Sequence, residues 1–456
     1  IWGFFVCLEV FLGGRKLGPV IGAMNVGASD MSSWLLMGLP GAFYLAGLNY
    51  IWVIIGLVIG SFGSWKLIAP RLRVYTEEAN DSVTISSFLE NRFNDKTKVL
   101  RLVTAAIILF FYTTYIASGF VGSAKLFSSL FNISYQTALV ISIFIIVFYA
   151  LIGGFLAVSW ADLLQGMLML FTLILVPIGI VFQMGGLENV IGVIKEVSPS
   201  HLDPFHNMSL IGIISLLGWG LGYFGQPHII SKYMAIKNVS DIKLATRICI
   251  TWMTISMIAA ALVGLFGFAF FAENPLKHHE TVFIATSNLL LPAILMGLVI
   301  SAILAAIMST INGQILICCA TLTEDFYKRF LRPKAENKEL LFTTRVFVLL
   351  ITFLTFFIAN NEQSTVLGLV GYAWAGLGAS IGPVIICALF VKRTTKLAAL
   401  IGVISGAVAS VIFAEWKIFS YEIFPAFGIS LALILIISYL SKEEVSPEVS
   451  RIFDKF

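Results

Sequence analysis

Residues 20–46 form an apolar run long enough to cross a bilayer, yet its centre reads Gly27-Ala28-Ser29-Asp30-Met31-Ser32-Ser33. A carboxylate at membrane depth is costly and normally faces a partner, an ion or a watery cavity. Glycine and serine around it weaken the helix and free main-chain carbonyls. Non-helical backbone at that depth survives only where it lines a cavity or is buried in protein. Carbonyls, hydroxyls and one acid supply the hard oxygen ligands that a small cation needs. The alternative is a kinked helix whose acid makes a structural hydrogen bond.

The rest of the chain agrees with a membrane setting. It is 59% hydrophobic and only 12% charged, with a mean hydropathy of +0.95. A soluble fold cannot bury that much apolar surface, so an all-α polytopic membrane protein is expected. Taking the apolar runs as spans gives about thirteen transmembrane helices. Of the 29 Lys and Arg residues, only Lys125, Lys195, Lys277 and Lys417 then fall outside. That asymmetry puts the N-terminus outside and the C-terminus in the cytoplasm. The 5 cysteines lie in apolar runs without CxxC spacing and the 5 histidines form no HExxH pattern. Structural zinc, a disulfide framework and metalloprotease chemistry are not expected on those grounds.

Residues 1–11 read as a first transmembrane helix, too short to span alone and expected to be incomplete. Pro70 is expected to stop the third span, and TISSFLENRF within the basic loop 71–98 reads as a short interfacial helix capped by Thr84 or Ser86. A polar external loop is expected over 185–207. The seventh span, near 208–229, is also interrupted, by GWGLGYFGQPH. Two broken spans five apart that enter from opposite sides form the pattern of an inverted repeat, with binding sites at the breaks. One five-helix repeat is expected over 20–184 and its inverted partner over 208–391. Two peripheral helices (397–440) and a cytoplasmic tail (441–456) would follow.

In SAILAAIMSTINGQ, Ala306, Ser309 and Thr310 share one helical face. Such hydroxyls commonly glue helices together; beside unwound carbonyls of Ala28 and Met31 they would instead complete an oxygen cage for sodium. Asp162, at the expected start of the sixth span, has a second reading as a charge favoured by the helix dipole. Trp219 and Tyr223 lie one turn apart beside the second break, where with Tyr115 and Trp34 they could enclose a small apolar ring, or simply pack.

In order along the chain, GGRKLGP, GASDMSSWLLMGLPGA, GGFLAVSWADLLQG, WGLGYFGQPH, SAILAAIMST and LVGYAWAGLGASIGPV resemble the sodium/solute symporter family, and its proline branch in particular. The resemblance implies a LeuT-like five-plus-five inverted-repeat core and sodium-coupled uptake of L-proline by alternating access. It implies a transporter rather than an enzyme, in the bacterial inner (cytoplasmic) membrane. Na+ would be the co-transported ion, with no other cofactor, no nucleic acid and no obligate protein partner besides the lipid bilayer. Sodium would be held by the backbone of Ala28, Met31 and Ala306 and the hydroxyls of Ser309 and Thr310. Asp30 would be the acid required for sodium dependence, and Asp162 would lie near the ion's inner exit. Arg15 matches a position important for coupling, and L-proline would bind near Trp34, Tyr115, Trp219, Tyr223 and Pro227. Ser33 stands where the proline branch has glycine, which could alter the geometry of the break. The alternative within the class is another solute, such as a different amino acid, pantothenate or a sugar. A channel would not need saturable sodium-dependent uptake, and a sensor should carry an output domain.

Overall fold

The computed structural model describes residues 12–453 apart from 153–154, 418, 420, 442, 444 and 446, and leaves aside the side chains of 13, 152–161, 337 and 448. The expected first crossing, 1–11, lies outside the described residues. After a turn at Gly13–Arg15 the chain forms α1 (Pro19–Asp30), breaks, and resumes through a wide turn (Trp34–Gly38) as α2 (Leu39–Ala46). Helix α3 (Ile51–Gly63) runs through a second wide turn (Ser64–Ile68) into α4 (Ala69–Glu78), and α5 (Ile85–Arg92) precedes the long α6 (Val99–Phe131). Next come α7 (Tyr135–Ile152), α8 (Phe155–Gln183) and α9 (Leu187–Val197). The second break separates α10 (Leu210–Leu217) and a tight turn (Gly218–Phe224) from α11 (Pro227–Met234). The order ends with α12 (Ile242–Phe270), α13 (Val282–Leu290), α14 (Ala293–Ala320), α15 (Asn337–Ala359), α16 (Val366–Phe390), α17 (Lys396–Trp416), α18 (Ile423–Leu440) and α19 (Pro447–Phe453).

Among the described residues 9 helical stretches are long and apolar enough to cross a membrane, and Tyr135–Leu151 and Leu210–Phe224 are shorter apolar helices. Phe144, Phe148, Phe182, Ile294, Phe353 and Phe357 are exposed on the outside of the bundle, as suits helices whose surroundings are lipid tails. The capping expectation holds: Thr84 accepts the Ser87 N–H while the Ser87 hydroxyl accepts the Thr84 N–H.

Two local expectations are corrected. Pro70 does not end its helix. It follows the wide turn in which the Ala69 N–H reaches back to the Ser64 carbonyl, so the ring has room and its missing N–H falls where the hydrogen-bond ladder already shifts. Pro40 sits the same way behind the wide turn in which the Leu39 N–H donates to Trp34 O. The stretch 185–207 is not simply a loop, because α9 lies within it and buries Val190 and Ile194.

The bundle is arranged around the two breaks. Helix α1 packs among α8, α11, α12 and α14, while the 218–224 turn packs between α3 and α16. The approach depends on glycine: a Cβ on Gly60 would land on the Gly220 carbonyl, and one on Gly222 would strike the Trp374 indole. At one end of the bundle the entry to α1 is tied to the exit of α11. Leu17 N–H donates to Ala235 O at 3.2 Å, and Lys237 N–H to Leu17 O at 2.9 Å. Buried Arg15 donates to Met234 O at 2.6 Å and to Asp81 at 2.9 Å, and Arg73 donates to Ile236 O at 2.6 Å.

Candidate functional site

The first break reroutes the helical hydrogen bonds. In a continuous helix the Ser32 N–H would serve Ala28 O and the Leu35 N–H would serve Met31 O. Here Ser32 N–H donates to Asp30 O at 3.0 Å and Leu35 N–H to Ser32 O at 3.1 Å. Met31, at φ −81° and ψ 78°, leaves the helical region. The carbonyls of Ala28 and Met31 thus lose their helical donors while both residues stay buried. Trp34 stabilises the bend, its indole N–H donating to Asp30 O at 2.8 Å. Ser33 is accommodated by Gly122 of α6, where a Cβ would lie 2.9 Å from that of Ser33.

The second break behaves differently. Two of its carbonyls are taken up by neighbouring segments: Trp219 O accepts the Trp374 indole N–H at 2.8 Å, and Tyr223 O accepts the Ser64 hydroxyl at 3.0 Å. This turn therefore presents side chains rather than backbone. The Tyr223 hydroxyl donates to Asp30 Oδ2 and so links the two breaks, while Asp30 Oδ1 is buried with no partner among the described residues. An acid held on one oxygen and bare on the other suits a cation contact, as a buried carboxylate otherwise demands a partner. Trp219 stacks on Tyr421, rings 4.4 Å apart, beneath a cavity of about 510 Å³ also lined by Tyr50, Glu280, Gly371 and Tyr372. Helix α11 starts at buried Pro227, and Tyr115 packs edge-on to His228, centroids 5.7 Å apart.

A second polar cluster lies between α1, α8, α11 and α14. Asp162 Oδ1 accepts the Ser309 hydroxyl at 2.5 Å, and Oδ2 accepts the Ser29 hydroxyl at 3.2 Å. Asp162 is not a helix-start charge: α8 begins at Phe155, and the carboxylate is fully buried inside the bundle. Thr310 Oγ1 is buried and has no partner among the described residues. Ala306 lies in unbroken helix.

The expected residues therefore fall into groups. Asp30, Trp34 and Tyr223 are joined by hydrogen bonds, Ser309 and Asp162 form a pair, and Trp219 lines the cavity. Arg15 lies apart, in the tie between the entry to α1 and the exit of α11. Two features escaped sequence reasoning. Lys232, counted there as a cytoplasmic loop cation, is buried in α11 with its ammonium 3.5 Å from Asp162. Lys125 pairs with Glu280 at 3.1 Å, and the Glu280 carboxylate also caps the Val366 and Leu367 N–H groups at the start of α16. A lysine among apolar residues just past a membrane proline was the one available signal for the first.

The sodium:solute symporter family profile matches residues 10–406. The high-affinity proline transporter PutP of Bacillus subtilis is 48% identical over 438 residues, which cover 95% of this chain and 93% of that protein. The sodium/proline symporter of Escherichia coli is 45% identical over 444 residues, covering 95% of this chain and 88% of its own. A Na+-coupled sialic acid symporter, solved in a substrate-bound outward-open state, has the same fold, with a TM-score of 0.80 at 18% identity. The alignment spans 96% of this chain and 93% of that one.

Proposed function

This chain belongs to the sodium:solute symporter family, and on that premise we propose that it takes up L-proline together with sodium by alternating access. The observation that carries the reading is the hydrogen bond from Tyr223 to Asp30. It joins the acid of one break to the aromatic of the other, so ion and solute share one connected site. Relatives named as proline transporters at 45–48% identity supply the substrate.

In this reading Ala28, Met31 and Ala306 give sodium their carbonyls, Ser309 and Thr310 their hydroxyls, and Asp30 its bare oxygen. Asp162 receives the ion on its way out. L-proline enters from the cavity above Trp219 and reaches Tyr223, with Trp34, Tyr115 and Pro227 completing the pocket. Arg15 couples the site to the inner face, because α1 cannot swing from α11 without breaking its hydrogen bond to Met234 O. Sodium on the loosened end of α1 draws it toward α14, and the pocket lined by Tyr223 is built only then. Coupling has the required thermodynamic form: each ligand stabilises the same closed arrangement and so tightens the other.

The two five-helix repeats span 20–184 and 208–391, with 397–440 peripheral and 441–456 a cytoplasmic tail. The setting is a bacterial cytoplasmic membrane with the N-terminus outside and the C-terminus inside, as the distribution of Lys and Arg supports. The test is uptake of labelled L-proline into proteoliposomes under an inward sodium gradient, with competing amino acids, pantothenate and sugars. Uptake that ignores the sodium gradient, or that a different solute abolishes at far lower concentration than proline, would replace this reading.

A further inference from the structure

Lys232 presents a problem that the transport reading leaves open. Its side chain is buried in α11 and donates to three acceptors: Asn25 O at 2.9 Å, the Ser29 hydroxyl, and Asp162 Oδ2 at 3.5 Å. A carbonyl, a hydroxyl and a carboxylate are the ligand types that a sodium ion takes. Three acceptors are also the full complement of an ammonium. Two of these groups, on Asn25 and Ser29, lie on α1 on either side of Ala28, whose carbonyl is freed by the break. The third shares its carboxylate with Ser309, one of the hydroxyls assigned to the ion.

We infer that Lys232 is a tethered cation that exchanges with sodium at Asp162. The inference rests on the sodium-coupled reading above. Buried charge must balance locally, because an uncompensated ion inside a bilayer protein is costly. Asp30 and Asp162 contribute two carboxylates around the first break and Lys232 one ammonium, so this cluster is one positive charge short of neutral. A single sodium on Asp30 makes it neutral with Lys232 on Asp162. An ion moving inward meets Asp162 already paired, must displace the ammonium to pass, and finds the ammonium back in place behind it. Lys232 thereby disfavours a second ion at Asp162 and hastens release of the first. It is a positioning residue for the ion, acting through Asp162.

The experiment is sodium titration of the thermal stability of purified full-length protein without proline, using the parent, Lys232→Met, Asp162→Asn and the double variant. With its competitor removed, Lys232→Met should be stabilised at a sodium midpoint about tenfold lower than the parent. The double variant, which loses both charges, should return to near the parent midpoint. A Lys232→Met protein recoverable only in high sodium is the same result in stronger form, since sodium then takes the place of the ammonium. Lys232→Met at the parent midpoint, a double variant as tight as the single one, or early melting of Lys232→Met even in saturating sodium would each reduce the lysine to a structural tie. A parent protein indifferent to sodium would instead sink the transport reading together with the exchange.

Discussion

Asp30→Asn isolates the charge from the shape of the first break. The carboxylate accepts from Tyr223 on Oδ2, and its buried Oδ1 has no partner among the described residues. The amide can keep the Tyr223 bond through its carbonyl, which turns its NH2 toward the place of Oδ1 and presents donors to a cation. The loss is then chiefly Coulombic. Two unit charges about 4 Å apart attract by roughly 4 kcal/mol at an effective dielectric of about 20. Reorienting neighbouring hydroxyls recovers part of that, leaving about 2–4 kcal/mol, or a ~30- to 1000-fold weaker sodium affinity. Proline affinity at fixed sodium should fall in parallel, because linkage is reciprocal. Stability should move the other way: without sodium the variant should melt no earlier than the parent, since a half-satisfied buried carboxylate has been made neutral. Asp30→Glu keeps the charge but crowds Tyr223, and should fall between. The assay is sodium titration of labelled proline binding to purified protein, with thermal melts in parallel. Normal sodium dependence in a variant that melts early would make Asp30 a structural acid and refute the argument.

Thr310→Ala should raise the sodium needed for half-maximal proline binding about tenfold while leaving the melting temperature nearly unchanged, because its hydroxyl has no partner to lose among the described residues. Ser309→Ala should shift the sodium midpoint the same way but also cost about 1–3 kcal/mol of stability in a denaturation experiment, since Asp162 Oδ1 loses its donor. Trp219→Ala should weaken proline by about 1–3 kcal/mol at saturating sodium; a fall in sodium affinity alone would assign that turn to the ion instead. Arg15→Ala should open the tie between the entry to α1 and the exit of α11, so that a cysteine introduced as Ile236→Cys, at a position buried here, reacts with a polar thiol reagent at least tenfold faster than in the Arg15 background. Equal labelling would show the tie holds without the guanidinium. At Asp95, in the loop before α6, burial pushes the carboxyl up, but bonds from Thr97 and the Leu100 N–H, with Lys396 nearby, outweigh it and hold it below the usual carboxylate range. A depressed folded value means stability that is complete above about pH 4 and lost as pH falls further. Asp95→Asn should therefore melt earlier than the parent by a constant margin between pH 5 and 7, with the gap closing only below about pH 4.

Much of the fold was legible because it depends on periodicity and length, which a lipid environment makes stringent. The glycine- and serine-rich interruptions at 27–33 and 218–228 were visible in the sequence, and the structure breaks its helices within both. Pro70 misled because its effect is decided one turn earlier, by whether the ladder has widened at Ser64–Ile68. Nothing in SWKLI announces a wide turn. The expected loop at 185–207 misled for a different reason: α9 is a short amphipathic helix that buries Val190 and Ile194 and exposes Glu188, Lys195 and Glu196, so it has no continuous apolar run of the kind that marks a membrane span.

The candidate site was legible as a set of residues and not as a set of pairs. Asp30, Tyr223, Ser309 and Asp162 were each singled out, but Asp30 meets Tyr223 across 193 positions and Ser309 meets Asp162 across 147. No local pattern encodes such separations; they are consequences of helix packing. The same blindness explains Lys232. Charge counting puts every lysine near a span end in a loop, because a buried lysine is rare on average. What overrides the average is a buried acid waiting on another helix, and Asp162 reads from the sequence either as a helix-start charge or, by resemblance, as a group near the ion's inner exit, neither of which asks for a lysine partner. Once Asp162 is known to lie inside α8, its demand for a compensating cation follows from electrostatics alone, and the candidates narrow to a basic side chain within reach or a small ion. Here the basic side chain sits in the ligand shell that the ion would use, which is why the two readings of this carboxylate, ion pair and ion path, describe one site in competition.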